Sequence, residues 1–282
     1  MTTHLRRAIP LLAAALALLD AQTASAQVAP PLGVLQQFAA LGGSGVTGLG
    51  GLVTGDVGSF PTCPITGFPP SIVVPPFILH GPVVCDGTVV TARANATTAF
   101  LALNQGVGTI IADQLAGQSL GPGVYTFTLG TADIAGAGGT LTLTGGPASV
   151  YVFRTASTLT ANVGSIINFG AVSPCNVFWQ VGSSATLNAN FGGQVFASAN
   201  ITLGVGTNLN GRAIAGTAAV SMAGANNIGG CSVPGVVPPP VPPPPGPPGP
   251  PGPPPVPALP DIAAAGLVAL LLISGTFLLG RR

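Results

Sequence analysis

Hydroxyl side chains recur at equivalent positions in four similar segments, residues 157–162, 185–190, 201–204 and 220–223. If the apolar residue in each segment points inward, strand alternation turns the hydroxyl residue before it outward. The outward column predicted in this way consists of Thr158, Thr186, Thr202 and Ser221. Thr142 extends the column from an upstream segment, while Thr160 and Asn188 lie two residues further along the same face.

Such a column has the chemistry of a surface rather than of a reaction. Each Thr offers one methyl and one hydroxyl, and branching at Cβ holds both groups stiffly. Neighbouring strands repeat about every 4.7–4.9 Å, so the column would form a regular ladder able to organise water. Exposed strands favour Thr in any case, so an inert β-surface has the same pattern.

Side chains that could catalyse a reaction are few. His80 is the only histidine outside the N-terminal leader, and its Pro-rich loop predicts an exposed side chain. No glutamate is present, and the aspartates of the domain show no catalytic motif: Asp56, Asp86, Asp113 and Asp133. Asp56 is typical of a turn residue that bonds its own backbone. Zinc and EF-hand ligand spacings are also missing, so we predict no enzyme activity, no metal and no cofactor.

The composition excludes further classes of protein. Charged residues make up 5% of the 282 residues, with neither Lys nor Glu, and the net charge is +1. A chain of this charge is a poor ligand for nucleic acid, and helical bundles draw on Lys and Glu for their surfaces. Because 47% of the chain is hydrophobic, disorder throughout is also excluded. We expect none of the few charges to lie in or beside the hydroxyl column.

The elements that position the column are short strands in a repeat. A second apolar strand precedes each hydroxyl segment, and the steps from Phe178 to Phe196 and from Phe196 to Ile214 are 18 residues each. Two short strands per repeat, separated by Gly, predict the coils of a β-solenoid. The preceding strands are apolar at successive positions, so both of their faces must be covered. A helix over residues 89–104, capped by Asp86 or Thr88, is the candidate for this cover.

Both ends of the chain carry targeting signals. Residues 1–26 combine Arg6 and Arg7, a short apolar run and an Ala-Ser-Ala site, which predicts a cleaved secretory signal peptide. Export to an oxidising compartment suits the four cysteines, for which three pairings are possible. We favour Cys63 with Cys85 and Cys175 with Cys231. The domain between the signals is predicted to span residues 27–233.

A stalk and a membrane helix are predicted after this domain. Residues 234–260 hold 17 of the 30 prolines, which predicts an extended polyproline II stalk. Residues 261–282 contain an uncharged stretch long enough to cross a bilayer, followed by Arg281 and Arg282, so the main domain is expected outside the cell. This end resembles bacterial C-terminal sorting signals of the PEP-CTERM and IPTL-CTERM kind, without the Pro-Glu-Pro signature. A sorting protease or a plain membrane anchor are both consistent with it.

Several ordered blocks resemble the microbial ice-binding protein family. They include residues 38–44, 53–58, 65–70, 121–125 and 210–213, and the most specific is residues 175–187, Cys-Asn-Val-Phe-Trp-Gln-Val-Gly-Ser-Ser-Ala-Thr-Leu. The resemblance implies a mainly β fold, an irregular, discontinuous right-handed β-solenoid with one long helix alongside. It also implies an ice crystal surface as the partner, and the outward hydroxyl column is the candidate contact. A structural or adhesive surface solenoid that does not bind ice is the alternative.

Overall fold

The computed structural model describes residues 27–81 and 85–232. The predicted signal peptide 1–26, stalk 234–260 and membrane helix 261–282 lie outside these residues, as does the last residue of the predicted domain. Within the described part of the chain, no helix combines the length and the apolar character that a membrane span needs.

Short strands dominate the described residues. The α-helix, α1, is Gly87–Ala102, and two 3-10 turns are Gly33–Gln37 and Pro174–Asn176. The strands in chain order are β1 (Phe38–Gly42), β2 (Gly45–Gly48), β3 (Gly51–Val53), β4 (Asp56–Ser59), β5 (Ile65–Thr66), β6 (Ser71–Val73), β7 (Leu79–His80), β8 (Thr109–Ile111), β9 (Ser119–Leu120), β10 (Gly123–Phe127), β11 (Ala132–Ile134), β12 (Thr140–Leu143), β13 (Tyr151–Thr155), β14 (Leu159–Ala161), β15 (Ile166–Asn168), β16 (Val177–Val181), β17 (Ala185–Leu187), β18 (Phe191–Ala197), β19 (Ile201–Leu203), β20 (Asn208–Ala215), β21 (Ala219–Met222) and β22 (Asn226–Gly229).

The strands pair in parallel to form three walls of a β-solenoid. The broad sheet has twelve strands and includes β16, β18 and β20. The seven-stranded sheet has the order β11-β14-β17-β19-β21-β2-β5, and the three-stranded sheet the order β15-β12-β9. Successive coils therefore contribute one strand to the broad sheet and one to the seven-stranded sheet, which confirms the predicted mainly β solenoid.

The predicted 18-residue step holds for only part of the solenoid. Phe196 pairs with Ile214, as the spacing predicts. Phe196 lies opposite Gln180, however, and not opposite Phe178. The coils differ in length because the loops between the walls differ, and a loop can change length without disturbing the strands that it joins.

The broad sheet is apolar on both of its faces. Phe153 and Trp179 point into the solenoid, where their rings stack with centroids 4.2 Å apart. Val152 and Phe178, one residue earlier in each strand, belong to a second buried cluster beneath α1. Burial of each such side chain contributes about 1.5–3 kcal/mol, so covering the outer face stabilises the domain. The predicted covering helix is confirmed.

Helix α1 begins at Gly87 because the Asp86 side chain caps it, accepting a hydrogen bond of 2.9 Å from the Val89 N–H. The helix starts and ends two residues earlier than predicted. Its buried side is formed by small residues, with Val89 joined by Ala92, Ala96 and Ala99. Small side chains let the helix backbone lie close to the broad sheet.

The coils are not stacked in the order of the chain. This agrees with the discontinuous solenoid that the resemblance implies. The N-terminal strands β1, β2 and β3 pair with the C-terminal strands β20, β21 and β22. Helix α1 then connects these first coils to β8, which is the other edge strand of the broad sheet. The first and last parts of the domain are thus held together by side-by-side strands.

Arg212 fixes this junction. Its guanidinium is buried and donates to the carbonyl oxygens of Phe38 at 3.0 Å, Gln36 at 2.8 Å and Cys231, and to the Gln194 amide oxygen at 2.6 Å. Burial lowers the pKa of Arg212 to about 10. One side chain therefore joins the first strand, the middle of the sheet and the last described residues.

Two disulfides close the domain, Cys63–Cys85 and Cys175–Cys231. This is the pairing that the sequence favours among the three alternatives. The first bond lies directly before α1, and the second joins the turn before β16 to the end of the last coil. A disulfide of this kind typically stabilises a domain by about 2–4 kcal/mol.

Candidate functional site

A ladder of hydroxyl side chains runs along the outer face of the seven-stranded sheet. Backbone pairing places its members side by side on successive strands: Thr160, Thr186, Thr202, Ser221, Thr47 and Thr66. The residues on either side of each rung in β14, β17 and β19 are buried in the core. The outward direction of the ladder is therefore fixed by the apolar residues that alternate with it.

Two rungs of this ladder are new relative to the sequence prediction. Thr47 on β2 pairs with Ser221, and Thr66 on β5 pairs with Thr47, both exposed to solvent. The Thr66 hydroxyl donates to the Thr47 hydroxyl at 3.2 Å. No repeat period connects these residues to the rest, because the first coils join the C-terminal end of the stack. The pattern Val-Thr-Gly followed by Ile-Thr-Gly is the signal in the sequence that could have identified them.

Thr158 is not in this ladder, which corrects the prediction. Leu159 pairs with Ala185 and Thr160 with Thr186, so the correct register differs from the predicted one by two residues. A shift of two keeps every side chain on its predicted face. Thr158 thus still lies on the outer face, but in a flanking column with Ser184 and Asn200.

The flanking column orients part of the ladder through side-chain hydrogen bonds. Ser184 donates its hydroxyl to the Asn200 amide oxygen at 2.6 Å. The Asn200 amide nitrogen in turn donates to the Thr202 hydroxyl at 3.2 Å. Asn188, the other predicted residue of this segment, follows β17 directly and is half-buried. These contacts restrict the rotamers at the centre of the face, which makes the surface stiffer than isolated hydroxyls would be.

Thr142 lies on a different wall, which is a second correction. It belongs to β12 of the three-stranded sheet, where it pairs with Ser119 and Asn168. The segment that contains it alternates Thr and Leu just as the ladder strands do, so composition alone does not separate the two walls. Position within the coil decides the wall, and Thr142 follows a turn that starts the next side of the solenoid.

One carboxylate lies at the end of the hydroxyl ladder, contrary to the expectation that no charge would lie in or beside it. Asp133 on β11 pairs with Thr160, so it occupies the end position of the ladder. Its oxygens accept hydrogen bonds from Gln114 Nε2 at 2.7 Å and Asn162 Nδ2 at 2.8 Å. No ionisable side chain lies in the ladder from Thr160 to Thr66. The first charged residue is Asp133 on β11, beside Thr160.

His80 was expected to be exposed, and that expectation is wrong. The side chain is 2% exposed, with Nε2 at 2.9 Å from Asp56 Oδ2 and Nδ1 at 2.7 Å from Asp86 Oδ2. Asp56 also accepts from the Ile78 N–H at 2.9 Å, so it bonds β7 and its preceding loop rather than its own turn. The prediction failed because strand β7 returns the histidine to the sheet beside β4.

Burial by itself lowers the pKa of His80, but the hydrogen bonds and negative charges of Asp56 and Asp86 outweigh it and raise the pKa. The pKa of Asp86 is lowered, because bonds from His80 and the helix N–H groups outweigh its own partial burial. The two carboxylates therefore favour the protonated form of the imidazole at the start of α1. This arrangement joins the helix to the first coils and leaves the ring no accessible face for a substrate.

Among the described residues, no cluster of three or more His, Cys, Asp or Glu side chains has a geometry that could hold a metal ion. On the outer face of the seven-stranded sheet, the ladder from Thr160 to Thr66 offers hydroxyls and methyls. The comparisons with known proteins agree with this chemistry. Residues 40–228 match the family described as Ice-binding-like. The chain belongs to this family.

Relatives in the family are ice-binding proteins and not enzymes. An ice-binding protein from Nostoc sp. (strain HG1) is 38% identical over 196 residues, which cover 68% of this chain and 71% of the relative. The crystal structure of an ice-binding protein from an Antarctic biological consortium is 31% identical, with a TM-score of 0.65, and covers 73% of this chain and 92% of that chain.

A second solved structure agrees with the first. The ice-binding protein of the Antarctic ascomycete Antarctomyces psychrotrophicus is 33% identical, with a TM-score of 0.63. The match covers 72% of this chain and 98% of that one. Family and fold are thus shared across nearly the whole described domain.

Proposed function

We propose that this family member binds ice crystals through the outer face of its seven-stranded sheet. The observation that supports the proposal is the six-rung hydroxyl ladder from Thr160 to Thr66, which no ionisable side chain interrupts. The consequence of adsorption would be inhibition of ice growth or recrystallisation, or attachment of the cell to ice.

The physical reason lies in how such a face treats water. A charged group keeps its own hydration shell because its desolvation is costly, and that shell has no lattice order. A Thr side chain combines a methyl, over which water must order, with a hydroxyl that can join the ordered layer. Rungs repeat about every 4.7–4.9 Å along the solenoid, so water above the ladder meets a periodic surface.

We also propose that the domain acts outside the cell, attached to the envelope. The support comes from the sequence of residues 1–26, 234–260 and 261–282, which are typical of a signal peptide, a stalk and a membrane helix. Two disulfides suit an oxidising compartment. The C-terminal helix would contact the membrane, or would be removed by a sorting protease.

An adhesive or structural surface protein remains the second candidate, and one feature favours it. A Pro-rich stalk followed by an anchor would hold the domain away from the cell, which serves attachment to any surface. The two candidates differ in whether the folded domain alters ice.

The test measures thermal hysteresis and ice recrystallisation inhibition on the purified full chain, kept in one mild detergent throughout. The proposal predicts that both activities rise with protein concentration and disappear after reduction and unfolding. A detergent blank and an unrelated disulfide-bonded protein serve as controls. A folded sample with intact disulfides and neither activity would favour the adhesive candidate.

A further inference from the structure

The outer side of helix α1 is a second uncharged surface that the ladder does not use. Between the first and last residues of the helix, six residues are exposed to solvent: Val90, Thr91, Ala94, Thr97, Thr98 and Leu101. Helices on a protein surface ordinarily carry Lys, Glu and Arg on this side. Here the one charged residue within the helix, Arg93, is directed toward the sheet. The outer side therefore offers water only methyl-bearing side chains.

The hydroxyls of this face are already bonded within the helix. Thr91 donates to the Gly87 carbonyl at 2.8 Å, Thr97 to the Arg93 carbonyl at 3.1 Å and Thr98 to the Ala94 carbonyl at 3.1 Å. Each bond fixes χ1, because the hydroxyl must point back toward the preceding turn. The Thr methyls are consequently held in place, beside the side chains of Val90 and Leu101.

The helix that carries this face cannot turn easily. Asp86 caps its start, and Arg93 donates to the carbonyl oxygens of Ala215 at 2.9 Å and of Gly42. Gln180 of the broad sheet donates to the Phe100 carbonyl at 2.8 Å. The Asn95 side chain accepts from the Val34 N–H at 2.9 Å. Bonds along its whole length thus hold the helix in one orientation.

Spacing along the helix resembles spacing along the ladder. Val90, Ala94, Thr97 and Leu101 follow one another at intervals of three and four residues, so they form a single row. Cβ atoms at such intervals lie about 5–6 Å apart. The row is about 16 Å long. A rigid, periodic and uncharged row of methyls shares the properties of the hydroxyl ladder that favour contact with ice.

We propose that the outer face of α1 is a second ice-contacting surface. It goes beyond the function proposed for the seven-stranded sheet, because α1 covers the broad sheet and so faces another direction. With a second surface in a different orientation, the protein could adsorb to a second plane of the ice crystal.

The chemistry favours ice over other occupants of this face. An anionic lipid surface would need exposed basic residues, and the face has none. A protein partner would be expected to find large anchoring side chains such as Trp, Tyr or Arg, whereas three of the six residues are Thr and one is Ala. Small, flat and uncharged side chains suit a layer of ordered water.

The test places charge on the face without disturbing the fold. Thr97→Lys combined with Leu101→Lys adds two charges at exposed positions, and Lys is a better helix former than Thr, so α1 should be retained. Val107→Lys is the matched control, because Val107 is fully exposed in the loop after the helix. Thr186→Tyr, which blocks the ladder, is the second arm.

The readout is the set of planes that fluorescently labelled full chain marks on a single ice crystal, together with light scattering of the chain in solution. The wild type and Val107→Lys should mark the same two sets of planes. The Thr97→Lys/Leu101→Lys variant should lose one set, and Thr186→Tyr the other.

Two results would overturn the proposal. In the first, the double variant marks the same planes as the wild type, which would leave the ladder as the only ice surface. In the second, light scattering shows a wild-type dimer that the double variant abolishes, which would make the face a contact between copies. Loss of all labelling in the double variant alone would support the helix surface and contradict the ladder.

Discussion

The broad sheet and the seven-stranded sheet are both built of parallel strands, but their outer faces differ in polarity. In the broad sheet, Val152 and Phe178 continue the apolar pattern on the outer face, and α1 must cover them. In the seven-stranded sheet, hydroxyls alternate with core residues, so the outer face remains open to water. One side-chain position per strand therefore decides whether the outer face of a wall is buried or exposed. Sensitivity to mutation should therefore differ sharply between the walls.

The largest effect is expected beneath the helix. Phe178→Ala removes a fully buried ring between the broad sheet and α1 and should lower the free energy of unfolding by about 3–5 kcal/mol. Urea denaturation followed by circular dichroism measures it, with the exposed Leu129→Ala as the control. A loss as small as that of the control would contradict the packing of the helix.

The next effect is a pH dependence at the start of α1. Because the pKa of His80 is raised by folding, its contribution to stability is complete below its unfolded pKa of about 6.5 and is lost as the pH rises through the folded value. The melting temperature of the wild type should fall over this range. His80→Gln should be less stable at low pH and should show a flatter profile. Parallel profiles for the two proteins would argue against a protonated His80.

A smaller effect is expected at the helix cap. Asp86→Ala removes the side-chain bond to the Val89 N–H, worth about 0.5–2 kcal/mol, and also the 2.7 Å bond to His80 Nδ1, so the loss should be at least that of a helix cap. Thr88→Ala is the matched control, since Thr88 is the other cap that the sequence allowed and lies inside the helix. Equal losses for the two variants would mean that the helix begins elsewhere.

The smallest effect on stability is expected in the ladder. Thr202→Val keeps the shape and a methyl but removes the hydroxyl that Asn200 contacts at 3.2 Å. A surface substitution of this kind should change the free energy of unfolding by no more than about 0.5 kcal/mol. Thermal hysteresis should decrease without disappearing, because the methyl remains. A large loss of stability would mean that this wall is more like core than the comparison implies.

Most of the fold could be predicted from local patterns in the sequence. Alternation around Leu187 and Leu203 identified the strands and their inner faces, and the double apolar run at Phe178 and Trp179 required a cover. The family resemblance added the discontinuous order of the coils. Each of these conclusions depends on a few neighbouring residues, which is why sequence reasoning reached them.

Contacts between distant coils were not accessible in the same way. The prediction aligned Thr158 with Thr186 because the two segments have similar residues around these positions. In the structure, backbone pairing of the strands places Thr160 beside Thr186. Thr47 and Thr66 join the ladder only because the first coils stack on the last. His80 is buried because β7 pairs with β4, and no local pattern specifies that pairing.

The central claim is that the ladder wall, and not hydroxyl content as such, carries ice binding. Thr186 and Thr142 allow a direct test, because both are outward Thr residues on short strands of different walls. Thermal hysteresis of Thr186→Tyr should fall severalfold below the wild-type value while that of Thr142→Tyr stays at the wild-type level, with all three melting temperatures alike. Equal activity in the two variants, or a loss only in Thr142→Tyr, would contradict the assignment.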